Sequence, residues 1–385
     1  MNASSRSRPE GEQATHNGHP QVGAGGPAFQ PYGAAVVHSG PVDIGSPFNV
    51  GNLKGKTIVI TGGASGFGAS CSRHWSSHGA NIIIGDINAK QGTALIASLR
   101  QSSNSQNHHF IPLDVTSWSS QAHFFREAAR LSPHGGIDCV MANAGIADAE
   151  EQLAFEEPPD YSGMEAPPPP KMRTAEINLT GVLYTTHLAL SYLSRNPGSG
   201  KCAVDRHDGE RDRHLLLVAS IAGLAGLPAQ PLYAAAKHGV VGLFRTLRMT
   251  SPMKTGLRVN MINPYFVETP LLGPGAFLLA GGAMADISSV VEASTRLVAD
   301  QGIIGRGLII ASKTSAEHAQ AVGLNLQTEG QDIWDCYAHD FEQSDLFTRR
   351  IIGVTNLVTQ ARGWVGFWGD VGWGLYKAIL RAVGY

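Results

Sequence analysis

A strand-like run, a glycine-rich turn and a helix-like stretch follow one another without a gap near residue 60. Residues 57–60 are apolar or β-branched and have the length of a buried strand. The turn over residues 61–68 reads Thr-Gly-Gly-Ala-Ser-Gly-Phe-Gly, and a helical pattern then covers residues 69–78. A strand and a helix joined by so short a turn pack side by side, as in the first half of a β-α-β unit. This stretch therefore predicts an α/β fold.

The alternation of strand-like and helix-like stretches continues along the chain. Further apolar runs of strand length lie at residues 81–85, 110–113, 137–141, 215–219, 258–262 and 308–310. Strands that alternate with helices form a parallel sheet that is covered on both faces. We predict a doubly wound parallel sheet of the Rossmann type, built as one domain from residues 51–312.

The glycine-rich turn has the features of a dinucleotide-binding loop. Gly62 permits the tight turn, Gly66 lets the backbone approach a pyrophosphate, and Gly68 lets the helix pack closely on the strand. The N-terminus of the following helix offers unpaired N–H groups to phosphates. The spacing is Gly-x-x-x-Gly-x-Gly, and glycine-rich turns also occur without a ligand. The motif therefore needs support from the rest of the chain.

A carboxylate at the end of the second strand bears on the choice of cofactor. Asp86 can accept hydrogen bonds from both hydroxyls of a ribose, and it repels a 2′-phosphate. No Lys or Arg lies between Thr61 and Cys71 to bind such a phosphate. We therefore predict NAD as the cofactor in preference to NADP. The alternative is a solvated aspartate at the end of a strand.

Three polar side chains predict chemistry on an alcohol or a carbonyl group. Ser220 follows the strand at residues 215–219, and ligands gather at the carboxyl ends of strands in an open α/β sheet. Tyr233 and Lys237 lie on one face of a helix-like stretch over residues 233–247. We expect the ammonium to lower the pKa of the phenol, so that Tyr233 exchanges a proton with a substrate oxygen held by Ser220. The Tyr-x-x-x-Lys spacing alone also occurs by chance on ordinary helices.

Taken together, these motifs resemble the short-chain dehydrogenase/reductase family over residues 51–312. The resemblance depends on Thr61, Gly62, Gly66, Gly68, Asp114, Asn143, Ala144, Gly145, Asn178, Ser220, Tyr233 and Lys237, which occur in the family's order and at similar spacing. Each motif alone is common, but the joint match is specific. The resemblance implies a nicotinamide cofactor and a catalytic set made of Asn178, Ser220, Tyr233 and Lys237.

The resemblance also implies roles for single residues. Asp114, with Val115 beside it, would bind the adenine amino group, and Asn143 would brace the sheet near a ribose. Asn178 would hold a water molecule against Lys237, unless this asparagine serves the helix alone. The full set of expected cofactor-binding residues is Thr61, Gly62, Ser65, Gly66, Phe67, Gly68, Asp86, Asp114, Val115, Asn143, Ala144, Gly145, Tyr233, Lys237, Val267 and Thr269.

The segment after residue 262 borders the expected nicotinamide pocket. Tyr265 stands where the family usually carries glycine, while Val267 and Thr269 match positions that contact the carboxamide. Residues 271–285 contain no charged side chain, and in the family this stretch covers the substrate. A large hydrophobic substrate follows, since ligand pockets are mostly apolar; alternatively, the lid packs on the core. Residues 263–270 resemble a fungal subgroup related to hydroxyaverantin dehydrogenase, which acts on polyketides and terpenoids.

The flanking and inserted segments differ from this core. Residues 1–50 are rich in Ser, Gly, Pro and His and lack apolar periodicity, so we expect a disordered tail. Residues 313–385 form a C-terminal extension that is rich in Trp and Gly near its end. We expect it to pack on the core or on a partner subunit, with peripheral membrane contact as the alternative. The proline-rich residues 156–171 predict a stiff surface loop or a ligand of an SH3-type domain.

Composition and charge bear on the partners and the cellular location of the protein. A net charge of −2 gives no reason to expect a nucleic-acid partner. The four cysteines are scattered without a Cys-x-x-Cys pair, which favours a reducing compartment, and we predict a cytoplasmic location. The histidines show no metal-ligand spacing, so we expect no metal. We also expect a homo-oligomer.

The combined prediction is an NAD-dependent oxidoreductase that oxidises a secondary alcohol to a ketone on a hydrophobic secondary metabolite, either a polyketide or a terpenoid. The first alternative is a ketoreductase that runs in the reverse direction. The second is a nucleotide-binding scaffold without turnover. The presence of all four catalytic residues argues against this second alternative.

Overall fold

Eight β-strands form one sheet in the computed structural model, which describes residues 37–205, 211–269, 284–313 and 330–336 together with Ser315, Glu317 and Gln320. The strands are β1 (Thr57–Thr61), β2 (Asn81–Asp86), β3 (His109–Pro112), β4 (Cys139–Ala142), β5 (His214–Val218), β6 (Arg258–Pro264), β7 (Gly307–Ile310) and β8 (Ile333–Asp335). Their order across the sheet is β3-β2-β1-β4-β5-β6-β7-β8.

The sheet is parallel from β3 to β7, and β8 joins β7 in the antiparallel direction. The chain builds β1, β2 and β3 toward one edge and then returns to place β4 on the other side of β1. This reversal of strand order opens a crevice at the carboxyl ends of β1 and β4, where ligands bind in folds of this kind. The predicted doubly wound parallel sheet is confirmed, with β8 as an unpredicted antiparallel addition.

Eight α-helices flank the sheet within the described part of the chain. They are α1 (Gly66–Ser77), α2 (Ala89–Ser103), α3 (Trp118–Leu131), α4 (Ala149–Glu156), α5 (Arg173–Ala175), α6 (Val182–Ser194), α7 (Pro231–Lys254) and α8 (Ile287–Ala299). A π-helical segment, Glu176–Gly181, joins α5 to α6. The side chains of Asn88, Ser117 and Asp148 cap the starts of α2, α3 and α4 by accepting backbone N–H groups.

Two hydrophobic cores lie on opposite faces of the sheet. Ile58 of β1 packs in one core with Trp75 of α1 and Leu297 of α8. Val59, the next residue of β1, packs in the other core with Phe244 of α7. Because successive side chains of a strand point to opposite faces, strands covered on both sides must be apolar throughout. This requirement explains the unbroken apolar runs in the sequence.

Two helices differ from their predicted bounds in ways that matter for the site. Helix α1 begins at Gly66, three residues before the predicted start, so the second and third motif glycines lie in its first turn. Helix α7 begins with Pro231 at its first position and continues through Pro252 to Lys254. Proline is favoured at a helix start because its missing N–H has no acceptor there. Strand ends fall within two residues of their predicted positions.

Residues 37–50, which the sequence analysis assigned to a tail, pack on the domain. The backbone N–H of Ser39 donates to the carbonyl of Ile304 at 3.1 Å, and that of Val42 donates to the Asp335 carboxylate at 2.9 Å. Arg296 of α8 donates to three backbone carbonyls of the same segment. The N-terminal segment thereby links α8 to the strand β8.

Several predicted features lie outside the described residues. These include residues 1–36, most of the lid at residues 271–285, and the Trp- and Gly-rich end of the chain. The proline-rich loop is described, and residues 156–171 are exposed except for the half-buried Tyr161. Among the described helices, none combines the length and the apolar character needed to cross a bilayer.

Candidate active site

The crevice at the carboxyl ends of β1 and β4 contains a cleft of about 330 Å³. Most of the predicted cofactor-binding residues line it: Gly62, Ser65, Gly66, Phe67, Asp86, Asp114, Val115, Asn143, Ala144, Gly145, Tyr233, Lys237 and Thr269. The other predicted residues are not part of its lining: Thr61, Gly68, Asn178, Ser220 and Val267. The structure thus gathers side chains from both halves of the chain around one cavity.

The glycine-rich turn has a shape that only glycine allows. Gly62 has a φ of +64°, and a Cβ atom there would lie 2.7 Å from the Cα of Ala144. A Cβ on Gly68 would lie 2.7 Å from the carbonyl oxygen of Gly62. Gly66 has a φ of +51°, and the nearest atoms to its missing Cβ belong to Thr269, at 3.8 Å. The first two glycines allow close packing, while Gly66 leaves bare backbone on the cleft.

Asn143 holds the turn against the neighbouring strand. Its Nδ2 donates to the carbonyls of Thr61 at 3.0 Å and Gly62 at 2.9 Å. The hydroxyl of Thr61 accepts the backbone N–H of Asn143 at 3.1 Å and that of Ala144 at 3.2 Å. These four bonds join the ends of β1 and β4, so the turn is fixed before any ligand arrives.

Two carboxylates, those of Asp86 and Asp114, also line the cleft. Asp86 accepts the backbone N–H groups of Ala64 at 3.0 Å and Asn88 at 2.9 Å, one on each oxygen. Asp114 is exposed and accepts the N–H and the hydroxyl of Thr116 at 2.9 and 2.7 Å. Backbone and hydroxyl donors therefore orient both carboxylates on the cleft wall.

Ser220 lies close enough to Tyr233 to act on the pKa of its phenol. Ser220 lies two residues after the end of β5; its Oγ accepts the backbone N–H of Ala222 at 3.2 Å and donates to the carbonyl of Pro264 at 3.4 Å, which orients the hydroxyl. Burial raises the pKa of the Tyr233 phenol, and the Ser220 hydroxyl opposes this rise only in part. The expectation of a lowered pKa at Tyr233 is therefore wrong for the protein alone.

The placement of Lys237 explains this outcome. Its Nζ donates to the carbonyl of Val218 at 3.0 Å and lies 5.6 Å from the centre of the Tyr233 ring. Burial lowers the pKa of Lys237 to about 8, since no carboxylate among the described residues forms an ion pair with it. The ammonium thus donates to the end of β5, and burial dominates the pKa of Tyr233.

Asn178 lies in the π-helical segment, fully buried. Its Oδ1 accepts the backbone N–H of Ile146 at 2.8 Å, and its Nδ2 donates to the carbonyl of Ile146 at 2.8 Å. A Cβ on Gly145 would lie 3.1 Å from Asn178 Oδ1 and 3.8 Å from Lys237 Nζ. The amide and the ammonium therefore border the same glycine, and π-helical turns are common at functional sites.

Of the two residues after β6 that were predicted to contact the cofactor, one lines the cleft and the other does not. Thr269 lines the cleft, whereas the side chain of Val267 is buried in a hydrophobic core. The Tyr265 ring packs edge-on against Phe266, with ring centres 5.0 Å apart. The backbone N–H of Tyr265 donates to the carbonyl of Ile310 at 2.7 Å. This bond extends the pairing of β6 with β7 by one residue.

The structure also places residues at the cleft that the sequence analysis did not single out. Those in the lining are Ile87, Leu113, Ile146, Arg173, Ile177, Val218 and Ala219. Most are apolar and flank a predicted residue, so their position next to a strand end was the available signal. The described His, Cys, Asp and Glu side chains form no cluster that could hold a metal ion.

Comparison with known proteins settles the family. A family profile described as short chain dehydrogenase matches residues 56–275, which is more than half of the 385-residue chain. The chain belongs to the short-chain dehydrogenase/reductase family. It is therefore an oxidoreductase with a nicotinamide cofactor, and the Rossmann-type cleft is where this family's cofactor belongs.

Two curated relatives refine the assignment. A 5′-hydroxyaverantin dehydrogenase of Dothistroma septosporum is 33% identical over 274 residues, covering 68% of this chain and 86% of the relative. A 5′-hydroxyaverantin dehydrogenase of Emericella nidulans is 36% identical over 273 residues, covering 67% and 85%. The chain thus belongs to the hydroxyaverantin dehydrogenase-like subgroup of the short-chain dehydrogenases.

A solved structure shares the fold. The crystal structure of a 3-ketoacyl-(acyl-carrier-protein) reductase from Brucella melitensis, complexed with NADH, matches with a TM-score of 0.54 and 23% identity. The match covers 67% of this chain and 97% of the reductase. In this chain, the bare backbone at Gly66 and the start of α1 fit a dinucleotide, because both leave N–H groups facing the cleft.

Proposed function

We propose that this protein is an NAD-dependent dehydrogenase that oxidises a secondary alcohol to a ketone on a large hydrophobic substrate of secondary metabolism. The observation that carries the proposal is the meeting of Ser220, Tyr233 and Lys237 beside the cleft. Tyr233 and Lys237 line the cleft, and Ser220 lies close enough to Tyr233 to lower the pKa of its phenol. A phenol that has a hydroxyl group beside it and borders the cofactor cleft can move a proton at a substrate oxygen.

The residues divide the work of the reaction. When bound, NAD supplies the ring carbon that accepts a hydride. Ser220 donates a hydrogen bond to the substrate oxygen, and Tyr233 in its phenolate form takes the hydroxyl proton. Lys237, with a pKa lowered to about 8 by burial, stabilises the phenolate and can itself exchange a proton near neutral pH. Asn178, which borders the same glycine as Lys237, is the next residue on the proposed proton path.

The preference for NAD rests on Asp86. Two backbone N–H groups fix its carboxylate on the cleft wall, so the charge stays where a ribose hydroxyl could donate to it. A 2′-phosphate at that position would face a fixed negative charge. Asp114 and Val115, farther along the same wall, are proposed to hold the adenine.

The proposed substrate class is a hydroxylated polyketide or terpenoid. The names of the two relatives from Dothistroma septosporum and Emericella nidulans state activity on 5′-hydroxyaverantin, a hydroxylated compound. The cleft of this chain is lined in part by Leu113, Ile146 and Ile177, which suits an apolar ligand. Tyr265 and Phe266 add a pair of aromatic rings after β6.

One observation favours the reverse direction as a second candidate. Burial raises the pKa of Tyr233, so the protonated phenol prevails at neutral pH in the protein alone. A protonated phenol is the form needed to donate a proton to a ketone oxygen during reduction. We therefore expect oxidation to accelerate toward alkaline pH and reduction to be favoured near neutral pH.

A cofactor-reduction screen tests the proposal. Hydroxylated polyketides and terpenoids are offered with NAD and with NADP, and the matching ketones are offered with NADH and NADPH. The proposal predicts NADH formation with at least one secondary alcohol and a higher kcat/KM with NAD. Preferred use of NADP would overturn the role of Asp86. Turnover only of small hydrophilic alcohols would overturn the substrate class.

The cellular compartment and the oligomeric state of the enzyme are part of the proposal. Cys71 and Cys139 are free and fully buried, which agrees with a reducing compartment and with the cytoplasm. We propose a homo-oligomer, as is common among short-chain dehydrogenases. Size-exclusion chromatography with light scattering checks this state, and a mass equal to one chain would contradict it.

A further inference from the structure

The side chain of Gln152 lies between α4 and the N-terminus of α7, outside the set of residues assigned above. Gln152 is fully buried, and its Oε1 accepts the backbone N–H groups of Leu232 at 2.9 Å and Tyr233 at 3.2 Å. These are the second and third residues of α7, whose N–H groups have no acceptor within the helix. The residue before the helix, Gln230, makes no side-chain capping bond. Gln152 therefore caps the helix that carries Tyr233.

The orientation of the Gln152 amide is determined by its other contacts. Its Nε2 donates to the hydroxyl of Thr174 at 3.2 Å. That hydroxyl donates its own proton to the carboxylate of Glu151, which also accepts the Thr174 backbone N–H at 3.0 Å. With its proton committed to Glu151, the Thr174 oxygen can only accept from Gln152. The amide nitrogen must therefore face Thr174, and the amide oxygen must face α7.

This arrangement spans the base of the proline-rich loop. Gln152 belongs to α4, which precedes the loop at residues 157–172, and Thr174 follows it, 22 residues along the chain from Gln152. The side chains of Glu151, Gln152 and Thr174 are all buried, although the loop itself is exposed. The hydrogen bonds hold the two ends of the loop together beside the start of α7.

We propose that Gln152 is a positioning residue that holds the backbone of Tyr233 in place for proton transfer. The inference rests on the proposed role of Tyr233 and extends it to a residue that does not touch the cleft. Because Tyr233 lies in the first turn of α7, loss of the cap lets this turn fray and moves the phenol relative to Ser220. Misplacement of a reacting group by about 1 Å can slow a reaction by about 10²-fold.

The test compares Gln152→Leu with a matched control, Asn260→Leu. Asn260 is also a fully buried amide: its Oδ1 accepts the N–H of Arg306 at 2.9 Å, and its Nδ2 donates to the carbonyl of Ile303 at 2.9 Å. Both variants lose a buried amide that satisfies backbone groups, but the hydrogen bonds of Gln152 reach α7, whereas those of Asn260 go to His214, Ile303 and Arg306. We expect kcat of Gln152→Leu to fall by at least about 10-fold with the KM for NAD changed less than about twofold. Asn260→Leu should keep kcat within about twofold.

Gln152→Glu supplies a partial rescue, because it keeps an acceptor oxygen for the two N–H groups but loses the donor that faces Thr174. Its kcat should lie between those of Gln152→Leu and the wild type. A kcat of Gln152→Leu equal to that of the wild type, or an equal loss of kcat in Asn260→Leu, overturns the proposal. If Gln152→Leu does not fold, Thr174→Val replaces it and Thr174→Ser serves as its rescue. Equal kcat values for these two variants also overturn the proposal.

Hydrogen–deuterium exchange gives a readout that needs no substrate. The peptide that starts α7 should exchange faster in Gln152→Leu than in the wild type and stay unchanged in Asn260→Leu. If the wild type turns over no alcohol or ketone, the proposed function fails, while the exchange of Leu232 and Tyr233 still decides whether Gln152 holds them. Unchanged exchange in Gln152→Leu overturns the positioning role.

Discussion

The buried charges at the two ends of the central sheet differ in their partners. At the amino ends of the strands, Asp212 accepts Lys56 Nζ at 2.6 Å and two nitrogens of Arg258 at 2.9 and 2.6 Å. All three side chains are buried and paired. At the carboxyl ends, Lys237 is equally buried, and within the described part of the chain its partners are the carbonyl of Val218 and the Tyr233 ring.

This difference shows in the pKa values. Burial alone would raise the pKa of Asp212, but the attraction of Arg258 and Lys56 outweighs it and holds the pKa well below its usual range. Burial lowers the pKa of Lys237 to about 8, and no anion among the residues that the structure describes opposes it. The charges at the amino ends thus stabilise the fold, while the charge at the carboxyl ends destabilises it. A proton-transfer site can use such a lysine, because its pKa lies near the working pH.

The largest expected effect comes from removing the anion at the amino ends. Asp212→Asn leaves Lys56 and Arg258 buried without their carboxylate. Breaking a buried ion pair in this way costs about 3–5 kcal/mol of unfolding free energy. Denaturant unfolding measures this loss, with Asp205→Asn as the control, since Asp205 is an exposed aspartate of the same loop. A loss for Asp212→Asn no larger than that of the control would contradict a stabilising role.

The same pair predicts a dependence on pH. The folded pKa of Asp212 lies below its unfolded value of about 3.9, so its stabilisation is complete above that value and is lost as the pH falls through the folded pKa. The difference in unfolding free energy between the wild type and Asp212→Asn should stay constant from neutral pH down to about 5 and shrink below about 4. A difference that persists unchanged into acid would contradict this assignment.

Lys237, at the carboxyl ends of the strands, makes a contribution to folding stability of the opposite sign. The folded pKa of Lys237 is about 8, and its unfolded value is about 10.4. Its penalty on stability is therefore complete below the folded value and is relieved as the pH rises toward the unfolded value. At neutral pH, Lys237→Met should be more stable than the wild type by up to about 3 kcal/mol, a gain that shrinks toward pH 10.

Lys56→Met is the matched control for Lys237→Met. Lys56 is as buried as Lys237 but lies 2.6 Å from a carboxylate, so its removal should lower the unfolding midpoint at neutral pH. Thermal melts at pH 7 and 9.5 compare the two variants. If Lys237→Met lowers the midpoint as much as Lys56→Met does, the two ends of the sheet do not differ as described.

A smaller effect is expected at the cofactor end of the cleft. Asp86→Ala removes the fixed charge that would repel a 2′-phosphate, so the ratio of kcat/KM for NADP to that for NAD should rise by about 10-fold, or about 1.4 kcal/mol. Steady-state kinetics with both cofactors measure this ratio. Asp114→Ala, which alters the other carboxylate on the wall, should leave it unchanged. An unchanged ratio in Asp86→Ala would remove Asp86 from cofactor selection.

Much of the fold could be predicted because strand, turn and helix signals are local. The apolar runs fall within two residues of strands β1 to β7, and the parallel direction of these strands follows from their alternation with helices. The antiparallel β8 could not be predicted, since its three residues, Ile333–Asp335, carry no distinct pattern. The packing of residues 37–50 was also not predicted, because it depends on backbone hydrogen bonds to distant residues and on Val42, Ile44, Phe48 and Val50, which contact a hydrophobic core.

Site residues could be predicted where a local sequence motif defines them. Properties that depend on contacts between distant residues could not be predicted. Tyr233, Lys237 and the glycine turn follow from spacing, and the structure brings them to one cleft. The direction of the pKa at Tyr233 could not be predicted, because it depends on burial and on where Lys237 points. Gln152 is a single glutamine in sequence, and only the fold places it at the start of α7.

The most direct test of the account follows NADH formation from the best alcohol substrate by three proteins: the wild type, Tyr233→Phe and Asp212→Asn. The measurement is made below the melting temperature of each protein. The account predicts that Tyr233→Phe reacts at least about 10²-fold more slowly while it melts with the wild type and binds NAD normally. Asp212→Asn should melt earlier but keep its turnover per folded molecule. Near-normal turnover in Tyr233→Phe, or an equal loss in folded Asp212→Asn, would contradict the separation of chemistry and stability between the two ends of the sheet.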